Sequence, residues 1–111
     1  VLEMKAEFNS ACSCFIGFGR ENNEDNFCFN RKHMPELNNG IAMPLEYSSS
    51  TENNQLFAVF DGLGGEAYGE KAAFIASELF LDEYDKLDKL VVPGTELLEN
   101  MCNNAHKAII S

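Results

Sequence analysis

The sequence has little positive charge. Only 8 of its 111 residues are lysine or arginine, against 18 aspartate and glutamate residues, and the formal net charge is −10 at pH 7. Nucleic acids and anionic membranes are bound through basic patches. The composition therefore predicts that the chain binds neither nucleic acid nor membrane. The acidic excess would instead attract divalent cations.

Long apolar runs and paired CxxC cysteines are also missing. No run approaches the length of a membrane span, and no leader-like segment opens the chain. We expect a cytoplasmic protein. Cys12, Cys14, Cys28 and Cys102 match no zinc pattern, so we interpret them as small apolar core residues in a reducing compartment, with metal binding by the first three as an alternative.

Hydrophobic residues make up 45% of the chain, enough for one small domain or part of one. Patterning predicts strands over 10–18, 27–29 and 56–60, a possible edge strand over 41–45, and helices over 69–87 and after a Thr95 cap. Residues 30–54 are rich in turn signals and predict a long loop or insertion. Strands grouped before helices favour an α+β fold with mostly antiparallel strands.

The most informative stretch runs from residue 56 to 70, LFAVFDGLGGEAYGE. Its first five residues predict a strand buried on both faces. Asp61 follows where that strand ends, and a carboxylate there needs a cation or hydrogen-bond donors to compensate its burial. Gly62, Gly64 and Gly65 then let the backbone turn sharply and present its own polar groups beside Asp61.

A second polar loop, between the first two predicted strands, carries Arg20, Glu24 and Asp25. If the two loops are neighbours, their carboxylates gather at one edge of the sheet, where mutual repulsion favours a hard divalent ion such as Mg²⁺ or Mn²⁺. We expect Asp61 to bridge two ions and the Gly62 carbonyl to ligate one of them.

The remaining residues of the two loops suit the same chemistry. Glu24 and Asp25 could hold the metals' waters, and a water between two cations becomes a nucleophile near neutral pH. Arg20 offers planar paired donors that match a phosphate. Together the two loops predict metal-assisted hydrolysis of a phosphate ester.

Residues 17–25, GFGRENNED, and 57–70, FAVFDGLGGEAYGE, closely resemble the opening motifs of the metal-dependent protein phosphatases of the type 2C (PPM) family. The resemblance extends over about residues 10–110. It implies a phosphoserine/phosphothreonine phosphatase with an α-β-β-α sandwich and a binuclear Mg²⁺/Mn²⁺ centre. By this resemblance Asp61 bridges the metals, Gly62 ligates one through its carbonyl, Arg20 binds the substrate phosphate, and Glu24 and Asp25 act in the water shell.

Two departures from the family pattern carry expectations of their own. Leu63 stands where many eukaryotic members have a histidine, which looks like the bacterial style. By the resemblance, residues 1–111 are the N-terminal portion of the domain, and the C-terminal half with its further aspartates is absent. We therefore expect weak metal binding, no turnover by this chain alone, and self-association through the uncovered sheet.

Two other functions remain open. Residues 62–67, GLGGEA, formally fit the G-x-G-x-x-A pattern of a dinucleotide-binding turn. The preceding acid and the absence of a strand ending near Asp82 count against it. The other alternative is a pseudophosphatase, a binding or regulatory module that keeps the fold without the activity.

Overall fold

The computed structural model describes residues 6–50, 55–62, 68–87 and 94–111. Four strands precede two helices, which confirms the α+β prediction. In chain order the elements are β1 (Glu7–Cys12), β2 (Asn26–Phe29), β3 (Leu45–Ser50), β4 (Phe57–Phe60), α1 (Gly69–Leu87) and α2 (Gly94–Ile110). Neither described helix has the length and apolarity needed to span a bilayer.

The strands form two separate antiparallel pairs. β1 pairs with β3, from Glu7 opposite Ser50 to Cys12 opposite Leu45. β2 pairs with β4, from Asn26 opposite Phe60 to Phe29 opposite Phe57. The second pair matters for function, because it joins the start of β2 to the end of β4, where the two polar loops begin.

Helix α1 covers one face of the β2–β4 sheet, and α2 packs on α1. Ala58 and Phe60 of β4 turn towards α1, and the Phe60 and Phe80 rings meet edge to face with centroids 4.9 Å apart. This arrangement adds to the free energy that apolar burial supplies. The buried members of this cluster are Cys28, Leu56, Ala76, Phe80, Met101 and Ala105.

A second cluster lies on the opposite face of β2, where Phe27 and Phe29 pack with Cys14 and Met34. β2 is therefore buried on both faces. β4 is not: Phe57 is 50% exposed and Val59 is 82% exposed. The prediction of a strand buried on both faces is wrong for β4, because the second cluster stops at β2.

Two of the predicted strands differ clearly from the structure. The first strand ends at Cys12 rather than at residue 18, and the chain beyond it bends through Gly17 and Gly19, both at positive φ. The serines of 48–50, interpreted as loop, belong to β3, while of the possible edge strand over 41–45 only Leu45 lies in a strand. Serine suits this exposed pair, where the Ser48 hydroxyl donates to Asn9 Oδ1 at 2.8 Å.

The sequence predicted the bounds of the two helices more accurately than it predicted which of their residues are buried. α1 has the predicted bounds, and α2 begins at Gly94, one residue before the predicted Thr95 cap. Among the apolar residues of α2, Met101 and Ala105 are buried, whereas Leu98, Cys102 and Ile109 are exposed. α2 packs mainly on α1, so only a narrow strip of its surface is covered.

Candidate functional site

The two polar loops meet at a hydrogen bond between Gly62 and Asp25. The Gly62 backbone N–H donates to Asp25 Oδ1 at 3.0 Å. The pairing of β2 with β4 explains this contact. Because Asn26 lies opposite Phe60, the residues that precede β2 and those that follow β4 leave the sheet side by side. The sequence placed both loops at strand ends but did not specify which strands pair.

Gly62 is buried at the junction of three elements. A Cβ at this position would overlap the carbonyl oxygen of Glu24 and would lie 2.7 Å from the carbonyl oxygen of Gly69, the first residue of α1. The helix begins with the Ala72 N–H donating to the Tyr68 carbonyl at 2.9 Å. Only glycine permits this approach of loop, strand end and helix start.

Arg20, Glu24 and Asp25 line one polar cleft of about 210 Å³. Arg20 and Asp25 are exposed, and Glu24 is half-buried. The cleft thus holds one guanidinium and two carboxylates in reach of solvent. Its other lining residues are Phe15, Ile16, Asn22 and Asn23.

Asp61 is exposed and lies between Phe60 and the buried Gly62. The β2–β4 ladder ends at the Asn26–Phe60 pair, and Asp25 and Asp61 are the residues that adjoin this pair in the sequence. The structure therefore brings the two loops of the predicted site to one edge of the sheet. Leu63, Gly64 and Gly65 lie outside the described residues.

Asparagines that the sequence gave no reason to single out hold the Asp25 loop in place. The Asn23 Oδ1 accepts the Asp25 N–H at 2.8 Å, and the Asn38 Nδ2 donates to the Asp25 carbonyl at 2.9 Å. Asn38 comes from the stretch interpreted only as turns. Its neighbours, Asn39 and Gly40, signal a turn, but no local pattern indicates a partner 13 residues away.

Two of the four cysteines, Cys14 and Cys28, are buried core residues, and Cys12 is partly buried. Cys12 and Cys14 belong to the cluster on one face of β2 and Cys28 to the cluster on the opposite face, so the three thiols do not converge. Burial raises the pKa of the Cys28 thiol to about 12. Burial, and then the charge of Cys14, also raises the pKa of Cys12. The expectation of a small apolar role is met for Cys14 and Cys28, whereas Cys102 is exposed.

His33 is partly buried and contacts α1. Its ring stacks on Phe74 with centroids 5.5 Å apart, and its Nδ1 lies 3.1 Å from the Ser77 hydroxyl. Since that hydroxyl donates to the Phe74 carbonyl at 2.8 Å, the hydrogen of this pair is supplied by His33. His33 therefore fastens the chain after β2 to α1, away from the two loops.

Comparisons with protein-family models, with curated proteins and with solved structures gave no match to this chain. The arrangement of the site therefore has to be interpreted from its own chemistry. One alternative is weakened by topology: β4 pairs antiparallel with β2, whereas a dinucleotide-binding turn is built on a parallel βαβ unit.

The oxygen donors at the junction suit a hard cation, but they are few. Asp25, Asp61 and the nearby carbonyls offer only oxygen, the ligand type that Mg²⁺ and Mn²⁺ prefer. Within the described ranges, no three His, Cys, Asp or Glu side chains gather closely enough to hold a metal. These residues thus fit part of a metal centre rather than a complete one.

Proposed function

We propose that this chain carries the phosphate- and metal-binding loops of a metal-dependent protein serine/threonine phosphatase. The observation that supports the proposal best is the 3.0 Å bond between the Gly62 N–H and Asp25 Oδ1. It joins the Asp-Gly strand end to the loop that carries Arg20. In this proposal the three carboxylates of Glu24, Asp25 and Asp61 act with the Arg20 guanidinium at one end of the sheet, a combination that suits hydrolysis of a phosphate ester.

Each residue has a role in this proposal. Asp61 and the Gly62 carbonyl would hold Mg²⁺ or Mn²⁺, and Glu24 and Asp25 would hold the waters around it. The metal, when bound, supplies Lewis acidity and a nucleophile at neutral pH. Arg20 binds the phosphate of a phosphoprotein through paired N–H donors and orients it at the cleft. A cytoplasmic location, in reach of such substrates, belongs to the same proposal.

The small number of metal-ligating side chains leads to two further expectations. Because no three metal-ligating side chains converge among the described residues, we expect weak binding of Mn²⁺ and no phosphatase turnover by the 111 residues alone. The same observation favours the second candidate, a binding or regulatory module of pseudophosphatase type. The two candidates differ in one measurable property, the affinity for Mn²⁺.

A Mn²⁺ titration followed by electron paramagnetic resonance tests the proposal. We expect saturable binding that Asp61→Asn weakens by about tenfold or more, as loss of a metal-binding group does. Asp82→Asn is the matched control, since it makes the same charge change at an exposed position of α1. Equal affinities for the two variants, or no saturable binding to the wild type, would contradict the metal-centre proposal and leave the binding module.

A further inference from the structure

Asn38 is 1% exposed, and both the nitrogen and the oxygen of its side-chain amide form hydrogen bonds. Its Nδ2 donates to the Asp25 carbonyl at 2.9 Å and to Cys14 Sγ at 3.3 Å. Its Oδ1 accepts the Gly40 N–H at 2.9 Å. A buried amide left without partners costs free energy, so these bonds fix the orientation of the group.

The backbone of Asn38 is bonded to the same loop. Its N–H donates to Asn22 Oδ1 at 2.9 Å, and its carbonyl accepts the Asn23 N–H at 2.9 Å. The loop that carries Arg20 and Asp25 is therefore held at three points by a single residue. This residue lies in the 30–44 segment, outside both polar loops.

A continuous path of hydrogen bonds runs from Asn38 to the strand end. The Asn38 side chain holds the Asp25 carbonyl, and the Asp25 carboxylate accepts the Gly62 N–H at 3.0 Å. We propose that Asn38 is a positioning residue, which sets the place of Asp25 and thereby joins the two loops of the candidate site. Its effect on metal binding rests on the function proposed above, whereas its effect on the two loops does not.

Hydrogen exchange of the Gly62 amide, measured by NMR, tests the positioning role without any metal. Asn38→Asp is the most informative variant, because it keeps the shape and the acceptor for Gly40 but cannot donate to Asp25 when ionised. Asn30→Asp is the matched control. Asn30 is also buried, and its Oδ1 accepts the Leu56 N–H at 2.9 Å at the other end of the β2–β4 ladder.

We expect Asn38→Asp to reduce the protection of Gly62 by about tenfold relative to the Phe80 amide in α1, which reports global unfolding. Asn30→Asp should leave that ratio within about twofold, because it keeps the acceptor for the Leu56 N–H and loses only the bond from Nδ2 to Gln55 Oε1. Unchanged protection of Gly62 in Asn38→Asp, or an equal loss in Asn30→Asp, would overturn the proposal. If Asn38→Asp does not fold, the wild type decides: a scalar coupling across the hydrogen bond must join Asn38 Nδ2 to the Asp25 carbonyl carbon, and its absence overturns the proposal.

Mn²⁺ affinity then connects the positioning role to the proposed function. We expect Asn38→Asp to bind Mn²⁺ about tenfold more weakly than Asn30→Asp, although both add one negative charge that would attract a cation. Equal affinities would show that Asn38 positions the loops without affecting the metal. A wild type that binds no Mn²⁺ would overturn the proposed function while the exchange result still decided the role of Asn38.

Discussion

Gly62 lies so close to Glu24 that a Cβ atom on Gly62 would overlap the Glu24 carbonyl oxygen. The obstruction is backbone on both sides, since the Gly69 carbonyl oxygen would also be only 2.7 Å away. No side-chain rotation can relieve such a contact. The two loops and the start of α1 can therefore meet only while this position has no side chain.

We expect Gly62→Ala to lower the free energy of unfolding by about 1–3 kcal/mol, the usual cost of overpacking, as measured by urea denaturation. Gly94→Ala is the control, because a Cβ there meets nothing within 4 Å. Gly94→Ala should change stability by less than about 1 kcal/mol. Equal losses in the two variants would contradict the close packing at Gly62.

The buried thiol of Cys28 makes stability depend on alkaline pH. Its pKa is raised to about 12 by burial, against an ordinary value of 9.0, so between these values the unfolded chain loses a proton that the folded chain keeps. The contribution of the Cys28 thiol to the free energy of unfolding is thus fully present below pH 9, and it is lost as the pH rises towards 12.

Cys28→Ala should therefore show a shallower fall of unfolding free energy between pH 9 and pH 10.5 than the wild type. Its absolute stability should be lower, because the thiol also donates to the Ser77 carbonyl at 3.1 Å. Cys102→Ala is the control, since Cys102 is exposed. Identical pH slopes for wild type and Cys28→Ala would show that the thiol ionises equally in both states.

The uncovered face of β4 predicts self-association. Val59 is 82% exposed and Phe57 is 50% exposed, beside an apolar groove of about 300 Å³ between this sheet and β1. Exposed apolar patches on a strand with an open edge favour pairing between copies. We expect the molar mass from light scattering to rise with protein concentration.

Val59→Glu should abolish that rise, because it places a charge in the contact surface. Leu37→Glu makes the same charge change at a site that is 72% exposed and away from the groove, and it should leave the association unchanged. A constant monomer mass for the wild type, or an equal effect of both variants, would contradict association through this face.

Arg20 provides a test of the phosphate side of the site. With Mn²⁺ present, we expect Arg20→Ala to weaken binding of inorganic phosphate by about tenfold, since paired guanidinium bonds to phosphate are lost. Arg31→Ala is the control, because Arg31 pairs instead with Asp85 on α1 at 3.3 Å. Isothermal titration calorimetry distinguishes these outcomes, and equal affinities would remove Arg20 from the proposed site.

Local sequence determined most of the elements. The apolar repeat that begins at Gly69 gave α1 with its bounds, because helix formation depends on neighbours three and four residues apart. The end of β4 at Phe60 was also predicted, since Asp61 and Gly62 interrupt the apolar run, whereas β2 begins at Asn26, one residue before its predicted start. On this basis the sequence indicated the α+β class and both polar loops.

Long-range pairing decided the rest. That β2 pairs with β4, so that Asp25 meets Gly62, depends on contacts 37 residues apart that no local period encodes. The role of Asn38 was hidden for the same reason, because its turn-forming composition describes its own backbone and not the loop that it holds. The exposure of Val59 likewise depends on which neighbours cover a strand, and only the packed chain determines those neighbours.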